Sequence, residues 1–377
     1  MASKINDNSL NTLKSLSNDE NSVSLNVEFS NLTTENDKDH SESQTKSVTL
    51  VRPPIMDSNS SFAFKFYVVT TMITIWSSYT LLIKYTQTNV PKEDLYFSCT
   101  IPFLSEMGKI VISFFMLFNE VGMAPKKFLR SINNNLIKKP KELLKLSPPA
   151  LCYIIQNNLD IIAMKNLPAG VFQVTSQLKI VSTAIFMVLF LKKKISGKKW
   201  LCIIFCFVGI AIVQVGNMKQ DSSKMVNKDE NAIVGLISIL IVCFVAGFAG
   251  VYFEKMLKDG SQNSLWIRNI QLYFWGIPSS LVWILIDKGS QVYEKGILHG
   301  FNAKVWIAVC LASIGGIYIS LIMKYLDNIQ KSFAATCTII VVAILSFIIF
   351  ANVQISFLFV IGSFTTISAI FAYNKFS

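Results

Sequence analysis

Histidine is almost missing from this chain. Only His40 and His299 occur among 377 residues, one in a polar stretch and one in a short loop. A histidine-based metal site or acid–base catalyst inside an apolar segment is therefore excluded. Charge is scarce as well: Asp, Glu, Lys and Arg make up 15% of the chain, against about 25% in a soluble domain. No CxxC pair is present. The cysteines (Cys99, Cys152, Cys202, Cys206, Cys243, Cys310 and Cys337) fall mostly inside apolar stretches, where they read as small packing residues. There is no HExxH pattern, and Gly197-Lys198-Lys199 lacks the leading glycine and the strand of a phosphate loop. With no dyad or metal cluster in the apolar segments, an enzyme is not expected, and neither is a metal or a cofactor.

Long apolar runs are what the chain has in excess. Hydrophobic residues account for 52% of it, and runs close to membrane-spanning length recur. Ten spans are expected, near 62–85, 97–118, 147–164, 169–191, 200–216, 232–256, 265–286, 303–325, 331–350 and 354–373. The fold class is thus an all-α membrane protein with ten transmembrane helices. Residues 1–58 are rich in Ser, Asn, Asp and Glu and poor in aromatics, so they read as a disordered tail. No signal peptide opens the chain, and the first span acts as a signal anchor. Asn31-Leu32-Thr33 and Asn59-Ser60-Ser61 match the glycosylation pattern, which goes unused if the tail is cytosolic.

The net charge of +12 sits in loops and sets orientation, so no nucleic acid partner is implied. Lys126, Lys127, Arg130, Lys138, Lys139, Lys141 and Lys145 crowd one loop, and Lys192, Lys193, Lys194, Lys198 and Lys199 another. The loop at 217–231 is near balance. The positive-inside rule places the basic loops, and with ten spans both termini, in the cytosol. Ten spans divide into two halves of five, at 59–216 and 217–377. An odd number per half forces opposite orientations, the plan of two inverted five-helix repeats. Met164-Lys165-Asn166-Leu167 before the fourth span is echoed by Met323-Lys324-Tyr325-Leu326 before the ninth.

Lys179 lies roughly midway along the fourth span. An ionisable residue at that depth costs roughly 2.5–3.5 kcal/mol on insertion scales, so it marks a site for something polar or anionic. Lys324, near the end of the eighth span, is either a second site cation or a lysine that snorkels to the cytosol. The third span is interrupted by Gln156, Asn157, Asn158 and Asp160. Tyr153, Gln156, Asn157 and Asp160 fall on one helical face, a stripe that should look into the protein. Gln173 and Thr175 are site residues or interhelical glue, and Gln177 is a further candidate for the site. Asn269 and Tyr273 share a face of the seventh span, though Tyr273 also suits an interfacial aromatic belt. The set suits a nucleotide: amides read a base edge, tyrosine rings pack on its face, and lysines meet phosphates. Glu106–Lys109 and Glu254–Lys258 read as intrahelical pairs, with Glu106 alternatively competing for a site lysine. Gly247, Gly250, Gly315 and Gly316 permit close helix approach.

At these residues the chain resembles the nucleotide-sugar transporters of the CMP-sialic acid, UDP-galactose and UDP-N-acetylglucosamine group, within the drug/metabolite transporter superfamily. The matching strings are Gln156-Asn157-Asn158, Phe172-Gln173-Val174-Thr175, Gln177-Leu178-Lys179, Gly247 through Lys255, Leu265 through Gln271, Lys324 through Asn328, and Lys141 through Leu146. The match as a whole covers about residues 65–373. The resemblance implies exchange of a cytosolic nucleotide sugar for lumenal nucleoside monophosphate across Golgi or endoplasmic reticulum membranes. Membrane lipid is the surrounding partner, and a homodimer is compatible with it. It also implies that Tyr153, Gln156, Asn157, Lys179, Asn269, Tyr273 and Lys324 bind the nucleotide, with Phe253 as a pocket wall and Trp266 and Arg268 structural. Phe172 stands where the family often has Tyr and the galactose branch tends to have Phe; Tyr273 resembles the CMP-sialic acid branch; Ala246 replaces a common Ser and Ser176 a common Tyr. UDP-galactose or UDP-N-acetylglucosamine is the favoured cargo. A CMP-sugar, or another phosphorylated small molecule on the same fold, is the alternative.

Overall fold

A computed structural model describes residues 62–88, 95–218, 231–259, 264–349 and 356–376. The expectations for the tail, its glycosylation patterns and most of the 217–231 loop lie outside the described residues. Within them the regular structure is helical, with no strand.

The helices are α1 (Phe62–Thr88), α2 (Thr100–Glu120), α3 (Pro125–Ile132), α4 (Pro140–Leu144), α5 (Ser147–Asn166), α6 (Ala169–Ser176), α7 (Lys179–Leu191), α8 (Gly197–Met218), α9 (Ala232–Leu257), α10 (Leu265–Lys295), α11 (Ala303–Tyr325), α12 (Asn328–Ile349) and α13 (Phe357–Lys375). A π-helical turn, Asn133–Ile137, joins α3 to α4. Among the described residues, nine helical segments are long and apolar enough to cross a membrane, with α6 and α7 counted as one. The chain is therefore a multi-pass membrane protein. The expected span outside that set is α5. Its polar stripe lowers its hydropathy, although its 20 residues suit a crossing in length.

Local chemistry explains many helix starts. The side chains of Asn231, Ser264, Asn302 and Ser356 each accept a hydrogen bond from a backbone N–H in the first turn of α9, α10, α11 and α13. Asp327 Oδ1 does the same for α12, accepting from Gln330 N at 2.8 Å. Two elements differ from the sequence reading. The fourth span is interrupted: Gln177 N bonds to Val174 O at 3.1 Å and Leu178 N to Thr175 O at 3.0 Å, a tightened turn between α6 and α7. The seventh span runs past its expected end, because α10 leaves helical geometry at Lys288 and then continues to Lys295.

The most extensive helix pairs are α8 with α13, α5 with α9, α1 with α11, α2 with α10, and α7 with α9. Further contacts join α1 to α12, α2 to α11 and α5 to α10. Close approach has a visible cause at Gly247, where an added Cβ would meet Ser182 Oγ at 2.6 Å and Thr183 N at 3.0 Å. Only a glycine lets α9 and α7 lie this near. Many large apolar side chains point outward, among them Phe357, Phe364 and Phe371 on α13. In a bilayer that surface faces lipid.

Candidate functional site

Two cavities lie between the helices and share one wall. The first, about 330 Å³, is lined by α1, α2, α5, α9, α10 and α11, and includes Glu106, Lys109, Tyr153, Phe253 and Tyr273. The second, about 230 Å³, is lined by α5, α7, α9 and α12 and the Gln177 turn, and includes Tyr153, Gln156, Lys179 and Lys331. Tyr153 lines both. The first cavity reaches the lower end of the range of about 300–1,000 Å³ typical of small-molecule sites.

Charge is arranged differently in the two. In the first, Lys109 Nζ donates to Glu106 Oε1 at 2.5 Å, with both side chains largely buried. The same ammonium sits 4.7 Å from the centroid of the Tyr273 ring. Tyr273 Oη lies 3.1 Å from Ser320 Oγ, within hydrogen-bonding distance. Glycines make room for the pair. A Cβ on Gly276 would meet Glu106 Oε2 at 2.5 Å, and one on Gly316 would meet Lys109 Cδ at 2.4 Å.

In the second cavity, two lysines converge without an ion pair among the described residues. Lys179 opens α7 immediately after the tightened turn. Lys331 projects from the first turns of α12, on one face with Ala335, Thr336 and Ile339. The carboxylates that interact with them at longer range are Asp160 with Lys179 and Glu254 with Lys331. Glu254 is itself held by Lys258 Nζ at 2.7 Å and by Asn328 N at 2.8 Å. Gln156, Gln177, Thr183, Ser332 and Thr336 add hydrogen-bonding groups to the walls.

The expected site residues divide into groups. Tyr153, Gln156, Lys179, Phe253 and Tyr273 reach the cavities. Asn157 is on α5, and its side chain lies outside the described residues. Asn269, one turn before Tyr273 on α10, is fully buried and lines neither cavity, and its amide nitrogen and oxygen have no hydrogen-bond partner among the described residues. Gln173 and Thr175 line neither cavity; their backbone carbonyls accept from Ser176 Oγ at 2.8 Å and from Cys243 Sγ at 3.5 Å, respectively. Phe172 packs against Ala163, Leu167, Ile239, Val242 and Cys243. Lys324 is half-buried at the end of α11 and lines neither cavity. Sequence reasoning missed Lys331. The signal that could have found it is a helix-start lysine followed on its own face by Ala335, Thr336 and Ile339.

A second cluster closes the end of the molecule that carries the basic loops. Arg268 Nη1 donates to Glu142 Oε2 at 3.0 Å and to Gln271 Oε1 at 3.2 Å, and its Nη2 to Asp259 Oδ2 at 2.6 Å. Lys145 pairs with the same Glu142, and Trp275 Nε1 donates to Leu143 O at 2.9 Å. The Lys145 ammonium and the Arg268 guanidinium hold the Glu142 carboxyl below the ordinary carboxylate range. Lys193 pairs with Asp327 in the same region. Arg268 is thus a structural clasp between α10 and the loop after α2.

A family model described as "Nucleotide-sugar transporter" matches residues 60–374. UDP-galactose translocator 1 of Caenorhabditis elegans is 44% identical, over 84% of this chain and 90% of its own. The UDP-galactose/UDP-N-acetylglucosamine transporter srf-3 of the same organism is 35% identical over 81% of this chain and 82% of its own. The UDP-N-acetylglucosamine transporter of Rattus norvegicus is 37% identical over 79% and 91%. One solved crystal structure shares the fold at a TM-score of 0.59 with 10% identity, over 84% of this chain and 99% of its own.

Proposed function

The chain belongs to the nucleotide-sugar transporter family, and from that premise we propose that it exchanges a cytosolic UDP-sugar for a lumenal nucleoside monophosphate in the Golgi or endoplasmic reticulum membrane. The observation that carries this reading is the convergence of Lys179 and Lys331 in one cavity whose wall, Tyr153, it shares with a second. Two unpaired ammonium groups inside a membrane protein favour an anionic occupant, and a diphosphate offers each lysine its own oxygens. Gln156 supplies a donor and an acceptor for a base, and Tyr153 supplies a ring to lie against it. The relatives' cargoes favour uridine over cytidine, and UDP-galactose as the first sugar to test.

In this proposal α5 is the tenth crossing, so both termini are cytosolic. Two inverted halves are supported by how the helices pair. Exchanging each span for the one five places later turns the α5–α9 contact into α11–α1, α7–α9 into α12–α1, and α2–α11 into α10–α5. The α8–α13 and α2–α10 contacts map onto themselves. Such a plan suits alternating access about a central site. The unloaded carrier must carry bare lysines through an occluded state, which is costly. An anionic cargo neutralises them, so reorientation is fast only when the site is filled.

The test is uptake of radiolabelled UDP-galactose into proteoliposomes. Internal UMP should accelerate it strongly. Equal uptake into empty and UMP-loaded vesicles would overturn exchange, and failure of UMP to compete from outside would overturn a nucleotide cargo.

A further inference from the structure

The segment between α2 and α5 has one face already used. Phe128, Ile132 and Leu136 pack against Leu117, Ile267 and Ile270, and the Phe128 ring meets Phe114 and Phe118 at centroid distances of 6.2 Å and 5.5 Å. Gln271 Nε2 fixes the segment by donating to Asn135 O at 3.1 Å. The opposite face therefore has to look outward. It exposes Leu129 and Ile137, which are 64% and 71% accessible, beside Lys126, Lys127, Arg130, Lys138 and Lys139. None of these cations forms an ion pair among the described residues. The π-helical turn, closed by Lys138 N to Asn133 O at 2.9 Å, sets Ile137 and Lys138 beneath Leu129 and Arg130. Together with Ile132, Asn133 and Asn134 these residues form a shallow groove of about 620 Å³.

We propose that this groove seats an anionic phospholipid of the adjoining leaflet, with its phosphate between Arg130 and Lys138 and its first acyl methylenes over Leu129 and Ile137. The occupant follows from position and chemistry. The segment joins a membrane helix directly to α5, so its outer face meets the headgroup layer. A groove lined by two cations, two amides and the exposed aliphatic side chains of Leu129 and Ile137 matches an amphiphile with an anionic head. A soluble acidic partner would leave Leu129 and Ile137 in water.

The experiment uses the full chain, delipidated in detergent and titrated with phosphatidylinositol 4-phosphate, phosphatidylcholine or soluble inositol phosphate, with bound lipid read by native mass spectrometry. The anionic lipid should be retained in preference to the other two. Arg130→Gln with Lys138→Gln should weaken retention by about tenfold or more, while Arg130→Lys with Lys138→Arg retains it. A photoreactive residue in place of Leu129, in reconstituted protein, should label lipid. Equal binding of phosphatidylcholine, equal binding of the headgroup alone, unchanged retention by the glutamine variant, or labelling of residues 1–58 or of another protein would each overturn the proposal.

Discussion

The two cavities make opposite use of the same kind of residue. Lys109 is neutralised where it stands, by Glu106 one turn away and by the face of Tyr273. Lys179 and Lys331 are left for something else to neutralise. A buried ion pair that is complete changes little when a neutral polar ligand arrives. Two unpaired cations change a great deal when an anion arrives. On the proposed nucleotide-sugar cargo, the phosphate end belongs in the second cavity and an uncharged, hydroxyl-rich part in the first.

The strongest way to break this assignment is to remove the cations. Lys179→Ala and Lys331→Ala should each weaken UDP-sugar binding by about 1.5–3 kcal/mol, the worth of a hydrogen bond to a charged group, or roughly tenfold to a hundredfold in affinity. Both together should abolish uptake. Isothermal titration with UDP-galactose and with UMP measures this, and unchanged affinity for UDP-galactose in either single variant sinks the division.

The next test splits the pair. Glu106→Gln leaves Lys109 without its counter-charge and should lower stability by about 1–3 kcal/mol, less than for a fully buried pair because both groups keep some access to water. The double variant Glu106→Gln, Lys109→Met should recover part of that loss in a thermal melt. UMP affinity should move little in either; a loss as large as that of Lys179→Ala would erase the contrast.

Tyr273→Phe removes the hydroxyl beside Ser320 and should cost about 1 kcal/mol, read as a small fall in melting temperature. The smallest effect is expected outside both cavities. Glu142 has its carboxyl held down by Lys145 and Arg268, so its contribution is complete above the ordinary carboxylate pKa and is lost as pH falls through the lowered value. Melting temperature should drop on acidification below the ordinary carboxylate range, and Glu142→Gln should flatten that slope.

Part of this was legible in the sequence, for specific physical reasons. Lys179 stood out because depth in a span makes a charge expensive. Tyr153 and Gln156 stood out because helical periodicity gathers polar residues onto one face. Lys331 did not, because a lysine in the first turn of a span looks like a loop charge. Its meaning depends on α12 crossing close to α7, a tertiary fact. The tightened turn at Gln177–Leu178 was also invisible, since neither residue is Gly or Pro. Phe172 was marked by family variation, and its place in an apolar cluster had no local signature. The helix count illustrates the converse: the polar residues that lower the hydropathy of α5 include Gln156, which lines the second cavity.

Tyr153 is a wall of both chambers. A molecule that occupies both at once has to bend around or displace that ring; one that fills a single chamber leaves it undisturbed. Under the proposed exchange the phenol is therefore a gauge of ligand length, sensing whether a passenger is whole or has been cut short.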